Sequence, residues 1–480
     1  MIAMSYNTTA HVFQGIRQLD PCRIRECLLV FSRLQAVKVK GVGLPSRNDG
    51  FGDFFGNTLI VRASTVINSI IAAKARQEFS RVMHFEDGDV PHVSPPDDPR
   101  PRLLYLHIPF CERLCPYCSF NRFVFEEDLC RDYFRALRKE LVLYRNLGYD
   151  FGGIYVGGGT PTVLIDELEE TIALARECFS IRELSVETNP NHLTEDRLSV
   201  LQRAGVDRLS VGVQSFDDGL LRKMDRYDKY GSGEAIAGLL RATLGRFRTL
   251  NADMIFNFPT QTPAMIDRDC ETLTDIGIDQ ATWYPLMVSD STRQKVMDTL
   301  GRVDFGQEER FYRRIVGRLV PPYRFSSAWC FSRKQAMIDE YIVDYDEYAG
   351  LGSGSIGYLN GTCYANTFDI PGYISRLDRG ELPLAASRVF SVRDRIRYDF
   401  IMKLFGTRLN ATDLRKKYGG AFLSLLGPDL LAFSLIGALA WRAPDIVLTK
   451  RGRYAWVILM REFFTAVNNF RDYCRREMHR

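Results

Sequence analysis

The chain has 480 residues, 46% of them hydrophobic, enough to bury one large core and one or two smaller ones. Its formal net charge of +4 arises from acidic and basic residues mixed throughout, which excludes the concentrated basic field of a nucleic-acid binder. Eleven cysteines, no basic leader or apolar h-region in Met1-Ile-Ala-Met-Ser-Tyr-Asn7, and no stretch long enough to span a bilayer point to a cytoplasmic protein with mostly buried thiols.

In chain order, residues 1–100 read as an N-terminal extension ending in a stiff linker, Pro91-His-Val-Ser-Pro-Pro-Asp-Asp-Pro-Arg-Pro101. The first fifty or so show weak periodicity. Leu59 to Arg76 then sets apolar residues on one helical face, with cations at its end. A helix packed on the main domain is the expectation, and peripheral membrane contact is its alternative.

Residues 101–300 alternate short apolar runs with amphipathic stretches, the pattern of repeated βα units and a parallel sheet. The predicted strands are Leu103 to Ile108, Gly153 to Gly157, Leu184 to Glu187, Arg208 to Val213, Asn251 to Phe256 and Gln280 to Pro285. Helices fall at Glu127 to Leu147, Ile165 to Cys178, Thr194 to Ala204 and Gly233 to Thr249. Six such units predict an α/β fold, a partial (β/α)6 TIM-like barrel.

Residues 301–390 read as an extension of that core, with mixed loops and a Gly-rich run, Leu351 to Gly361. Residues 391–480 read as a helical, winged-helix-like module with helices near Val392 to Phe405, Ala411 to Lys417 and Asp429 to Ala440, and a wing at Ile446 to Arg453. Its basic residues are few, so DNA is not the expected partner.

The informative motif is Cys111-Glu-Arg-Leu-Cys115-Pro-Tyr-Cys118, directly after the first predicted strand. A cubane iron–sulfur cluster takes four thiolates, so three leave one iron open to a substrate or cofactor. A structural zinc site would need a fourth Cys or His nearby. Two residues past Cys118 stands Phe120, and the nearest other candidates are His107 and Cys130. His107 lies within a strand, where a satisfied core histidine is the expected reading.

Other motifs sit at predicted strand ends, where barrel chemistry gathers. Gly157-Gly158-Gly159-Thr160 lets backbone pass close to a ligand, although a tight turn explains it equally well. Glu187 offers a carboxylate to an amino group and Arg226 a planar donor to a carboxylate. Asp253 is a carboxylate late in an apolar strand, expensive to bury unpaired. Tyr105 and Tyr117 flank the cysteines and suit either packing or contact with a nucleoside.

Taken together, Cys-x3-Cys-x2-Cys after His-Ile-Pro-Phe, Gly-Gly-Gly-Thr-Pro-Thr, Glu-x-Asn-Pro and Gly-Val-Gln-Ser-Phe resemble the radical S-adenosylmethionine (SAM) enzymes of the oxygen-independent coproporphyrinogen oxidase group. The resemblance implies a [4Fe-4S] cluster on Cys111, Cys115 and Cys118, with SAM on its open iron. It implies SAM contacts from Tyr105, Tyr117, Gly157, Gly158, Gly159, Thr160, Glu187, Gln214, Arg226 and Asp253, and assigns no further catalytic residue. The group includes porphyrinogen decarboxylases, haem chaperones and methyltransferases that use two SAM molecules. Phe120 stands where the typical bacterial decarboxylase has an extra Cys, and 118–125 with 148–164 looks most like the menaquinone C8-methyltransferases. The expectation is therefore radical methylation of a lipophilic, menaquinone-like quinone with two SAM molecules and an electron donor such as flavodoxin or ferredoxin. Coproporphyrinogen III oxidation and haem chaperoning are the alternatives.

Overall fold

The structure, a computed structural model, describes residues 52–83, 85, 92–338 and 341–477. The weakly periodic first fifty residues of the sequence lie outside that set. Two compact units are delimited: Arg76–Phe390 with Met460–Arg480, and the residues up to Ala75 with Ser391–Leu459. Helix α1 (Gly52–Val82) covers the stretch expected to be amphipathic. From Arg76 onward its inner face is packed: Phe79 meets Phe463 edge to face at 5.4 Å, and Arg76 pairs with Glu462 at 2.9 Å. Among the described residues, no helix is long and apolar enough to cross a membrane.

The larger unit is built on β1 (Arg102–Ile108), whose Leu103, Leu104, Leu106 and Ile108 are fully buried. Both faces are covered, so the strand reads as a continuous apolar run rather than an alternating one. The linker before it runs along the same unit, with Tyr149 donating to the Ser94 carbonyl at 2.6 Å and Asn360 to that of Pro95 at 2.8 Å.

After β1 the chain repeats strand and helix. Helix α2 (Glu127–Asn146) leads to β2 (Phe151–Gly158), α3 (Ile165–Cys178) to β3 (Glu183–Thr188), and α4 (Glu195–Arg203) to β4 (Arg208–Gln214). Then α5 (Gly233–Thr243) precedes β5 (Thr249–Phe256), and α6 (Pro263–Ile276) precedes β6 (Gln280–Pro285). Neighbouring strands in β1–β6 pair in parallel, with Tyr105 opposite Tyr155 and Val186 opposite Leu209. The helices are specified locally. In α2 the buried Cys130, Tyr133, Phe134, Leu137, Leu141 and Tyr144 recur at three- and four-residue spacing, the inner stripe of an amphipathic helix. Helix α6 starts with the Thr262 side chain accepting from the Met265 amide and Pro263 in the first turn, and it ends at Gly277 with φ 83°, a left-handed position suited to glycine.

The parallel set continues beyond the six predicted strands. After the short strands β7 (Arg324–Phe325) and β8 (Cys330–Ser332), β9 (Tyr348–Leu351) pairs in parallel with β1 on the side away from β2. Beyond it come β10 (Ile356–Leu359), β11 (Thr362–Asn366) and β12 (Leu384–Val389), all antiparallel. The sheet runs β12-β11-β10-β9-β1-β2-β3-β4-β5-β6-β8-β7, and among the described residues no pairing closes it, as a partial barrel requires. The Gly-rich run expected among loops instead spans the turn from β9, strand β10 itself and the turn that follows it. Its glycines serve close packing, since a Cβ on Gly357 would collide with the Tyr364 ring and one on Gly354 with the Asn121 side chain.

In the smaller unit, α7 (Val392–Phe405), α8 (Ala411–Tyr418) and α9 (Ala421–Leu435) accompany a three-stranded sheet of β13 (Arg408–Asn410), β14 (Leu439–Arg442) and β15 (Asp445–Leu448), in the order β13-β15-β14. The third helix begins earlier and ends sooner than the expected Asp429 to Ala440. Pro428 is accommodated inside it, and Gly437 at φ 71° follows its end. The last helix, α10 (Lys450–Glu477), carries its residues from Met460 into the larger unit.

Candidate functional site

The three cysteines lie on the loop that leaves β1. Phe110–Cys111 pairs in parallel with Phe123–Val124, and the Phe125 amide donates to the Cys111 carbonyl at 2.9 Å, so the loop is closed at its base. At its tip the Cys118 amide donates to the Cys115 carbonyl at 3.3 Å. All three are free, half-buried thiols. Burial pushes Cys111 up to about 11 and raises Cys118 as well.

The glycine run at the end of β2 packs against this loop more closely than any side chain allows. A Cβ on Gly159 would lie 2.5 Å from the Phe110 carbonyl oxygen and 2.9 Å from the Cys111 sulfur. A Cβ on Gly157 would lie 2.7 Å from Glu187 Oε1. Gly158 has φ 119°, and its amide donates to Glu187 Oε2 at 3.1 Å. The Thr160 amide donates to the Phe110 carbonyl at 2.7 Å, while its hydroxyl accepts from Asn189 at 2.9 Å. Glu187, at the end of β3, also accepts from the Tyr155 hydroxyl at 2.8 Å.

Arg226 is 4% exposed, and it is the side chain that ties β4 to the cysteines. One guanidinium nitrogen lies 3.6 Å from the Cys115 sulfur and the other donates to Asn189 at 3.4 Å and to the Gly212 carbonyl. The group sits 4.2 Å over the Tyr230 ring, and its Nε is buried without a partner. Gln214 ends β4 at φ 74°, a strained position of the kind found at functional sites. A Cβ on Gly212 would lie 3.1 Å from its amide nitrogen and 3.3 Å from Asn189 Oδ1. Tyr117 is 8% exposed, edge to face with Phe258 at 5.6 Å. Tyr105 hydrogen-bonds His107 Nδ1 at 2.8 Å. Asp253 accepts from Ser210 and from Asn251, each at 2.8 Å.

His107 is fully buried, its Nε2 faces the Asn121 carbonyl at 2.9 Å, and burial pulls its pKa down to about 3. It is a core histidine, as its place in a strand suggests. Cys130 is buried in the inner stripe of α2.

Several residues that pattern reading passes over belong to the site. Arg122 donates to the carbonyls of Cys115 (2.8 Å) and Cys118 (2.5 Å). Glu112, next to Cys111, meets Lys229 at 2.7 Å, Asn191 at 3.1 Å and His192 at 3.5 Å. Hydrogen bonding to His192 and then to Lys229 holds its carboxyl well below the usual range. His192 in turn reaches Thr162 at 2.7 Å, so one carboxylate links the cysteine loop to the loops after β2 and β3. Asn189 was legible within Glu-Thr-Asn-Pro, whereas Glu112 and Lys229 carry no local signal.

A cluster fits this donor set. Among the described residues, no three His, Cys, Asp or Glu side chains converge on a single ion, whereas a cubane takes one thiolate per iron. Gly159 leaves the space beside Cys111 free of side chain, and a buried guanidinium with an unpartnered Nε beside Cys115 suits a carboxylate.

Residues 105–273 match the model of the Radical SAM superfamily. The chain is similar to the heme chaperone HemW of Bacillus subtilis, 26% identical over 367 residues that cover 73% of this chain and 95% of that protein. It is also similar to the oxygen-independent coproporphyrinogen III oxidase of Pseudomonas aeruginosa, 26% identical over 385 residues, 74% of this chain and 83% of that one. The solved structure of coproporphyrinogen III oxidase (HemN) from Escherichia coli, described as a radical SAM enzyme, superimposes with a TM-score of 0.64 at 24% identity, covering 80% of this chain and 93% of that one. The fold is therefore the mixed α/β radical SAM fold.

These relatives overturn the expected quinone methylation, since they are named for haem and coproporphyrinogen and not for methyl transfer to menaquinone. The expectation leaned on Phe120. Its ring is 45% exposed, with the Arg471 guanidinium 5.3 Å above it.

Proposed function

We propose that this chain, whose residues 105–273 match the Radical SAM superfamily and which is similar to heme chaperone and coproporphyrinogen III oxidase proteins, is an enzyme acting on a reduced, carboxylate-bearing tetrapyrrole by oxidative decarboxylation. Cys111, Cys115 and Cys118 would hold the [4Fe-4S] cluster, which, when bound and reduced, supplies the electron that cleaves SAM to a 5′-deoxyadenosyl radical. Arg226 would take the SAM carboxylate, and Glu187 would orient the amino group, its own carboxylate being already fixed by Tyr155 and Gly158. Gly157 to Thr160 would bring backbone against the cofactor, while Tyr117 and Phe258 exclude water from its side of the loop. Gln214 and Asp253 complete the proposed SAM contacts. A flavodoxin- or ferredoxin-like donor would supply electrons.

The observation that carries this reading is likeness over nearly the full length of tetrapyrrole-handling relatives, joined to a cysteine loop whose glycine, carboxylate and guanidinium neighbours are all in place. Haem carriage is the second reading, favoured by coverage of 95% of the heme chaperone.

The reconstituted, reduced protein supplied anaerobically with SAM and coproporphyrinogen III should release carbon dioxide and 5′-deoxyadenosine in proportion. SAM cleavage without carbon dioxide, together with stoichiometric haem binding, would replace the first reading by the second.

A further inference from the structure

Arg122 and Arg475 pose a problem that the described side chains leave unsolved. Arg122 follows the cysteine loop, and its Nη2 is spent on the Cys115 and Cys118 carbonyls. Its Nε and Nη1 are buried without a hydrogen-bond partner. Arg475 comes from the last turns of α10, within the same unit, and its Nε is also buried and unpartnered. The anion bonded to Arg475 is Asp472, at 3.0 Å from Nη2, and that carboxylate also accepts from the Ser291 amide at 3.3 Å. Ser119, next to Cys118, meets Thr292 at 3.1 Å, and the adjoining Ser291 is the residue that bonds Asp472, so the Arg475 turn is tied to the cysteine loop; burial pulls the Arg475 pKa below the ordinary arginine value. Arg471, one turn earlier, adds a third guanidinium over Phe120. Burying several cations around one loop is costly unless an anion lies among them.

We propose that Arg122 and Arg475 are the charge partners of the iron–sulfur cluster and hold its reduction potential up. The inference rests on the cluster reading given above. A cubane held by three thiolates is anionic, and reduction makes it more so by one electron. Fixed cations beside Cys118 therefore stabilise the reduced form more than the oxidised one, an effect that low local dielectric strengthens. The helix end thus acts on the electron-accepting step without supplying a ligand, and both arginines are positioning residues.

The test is an anaerobic EPR redox titration of the loaded full-length protein, without tetrapyrrole, comparing the unaltered chain with Arg475→Gln, Arg475→Lys, Arg122→Gln and Arg122→Lys. Each glutamine variant should lower the reduced-to-oxidised ratio at fixed potential about tenfold, a negative shift of about 59 mV for a one-electron couple, and each lysine variant should keep most of the original potential. Unchanged midpoints in both glutamine variants overturn the proposal. So does a shift that appears only once tetrapyrrole is added, because the anion between the arginines is then substrate. Loss of iron in Arg475→Gln but not Arg475→Lys supports the charge role, whereas loss in both, with no potential change in the Arg122 pair, overturns it. An unaltered chain that binds no cluster refutes the cofactor reading instead.

Discussion

Glu140 offers a quantitative test of how the sheet is held behind the cysteine loop. It is fully buried in α2 and accepts from the Gly352 amide at 2.8 Å, the Tyr373 hydroxyl at 2.6 Å and the Asn366 amide at 2.7 Å. It thereby joins a helix of the first βα unit to the turn between β9 and β10. Burial raises its pKa from 4.5 to about 7, with the three hydrogen bonds opposing. Because the folded value lies above the unfolded one, the native state binds the extra proton between them. The associated stability is fully present below about 4.5 and is lost as pH rises through about 7, a difference of about 3 kcal/mol in total. Glu140→Gln cannot titrate and leaves one donor facing an amide NH2, a pH-independent cost of about 1–3 kcal/mol. The advantage of the unaltered chain over this variant, measured from urea midpoints by tryptophan fluorescence, should therefore shrink by about 2–3 kcal/mol between about pH 5 and about pH 8. A difference that stays flat across that range would refute the reasoning, because Glu140 would then not ionise there.

Three further outcomes are expected at the site. Gly159→Ala places a Cβ 2.5 Å from the Phe110 carbonyl oxygen, a backbone atom that cannot yield cheaply, so bound iron per chain should fall by more than about half while the helical circular dichroism persists; full iron content would refute the close-packing argument. Cys115→Ala should lose the cluster's visible absorbance and SAM cleavage together, and retention of either would overturn the ligand assignment. Arg226→Lys keeps the charge but not the planar fork, and calorimetry should show SAM binding weakened about tenfold, on the order of 1.4 kcal/mol; unchanged affinity would remove Arg226 from the carboxylate site.

The strands of the core were legible because each is a short apolar run bounded by Gly, Pro or polar residues and followed by an amphipathic stretch. Leu103 to Ile108 and Asn251 to Phe256 need no distant information to be read. The strand Tyr348–Leu351 was not legible, because it is only four residues long and its Gly350 makes room for the Ile356 carbonyl of the neighbouring strand, a contact that exists only after folding. Pro428 misled in the opposite direction, since the helix of the smaller unit runs through it. At the site, the cysteine spacing and glycine run are local and were found. Arg122 was passed over, and Arg475 could not be found from pattern, since its relation to Cys118 exists only after folding. The acceptor molecule escaped for a similar reason: substrate identity is not written in the eight residues around Phe120.

The placement of Arg471 and Arg475 has a consequence for biogenesis. The cysteine loop leaves the ribosome long before the helix that flanks it, and at about 5–20 residues per second the interval is on the order of tens of seconds. During that interval a nascent chain exposes a cysteine loop that lacks its flanking arginines. A cluster built during synthesis would thus lack the cations proposed to raise its reduction potential until the last helix is complete.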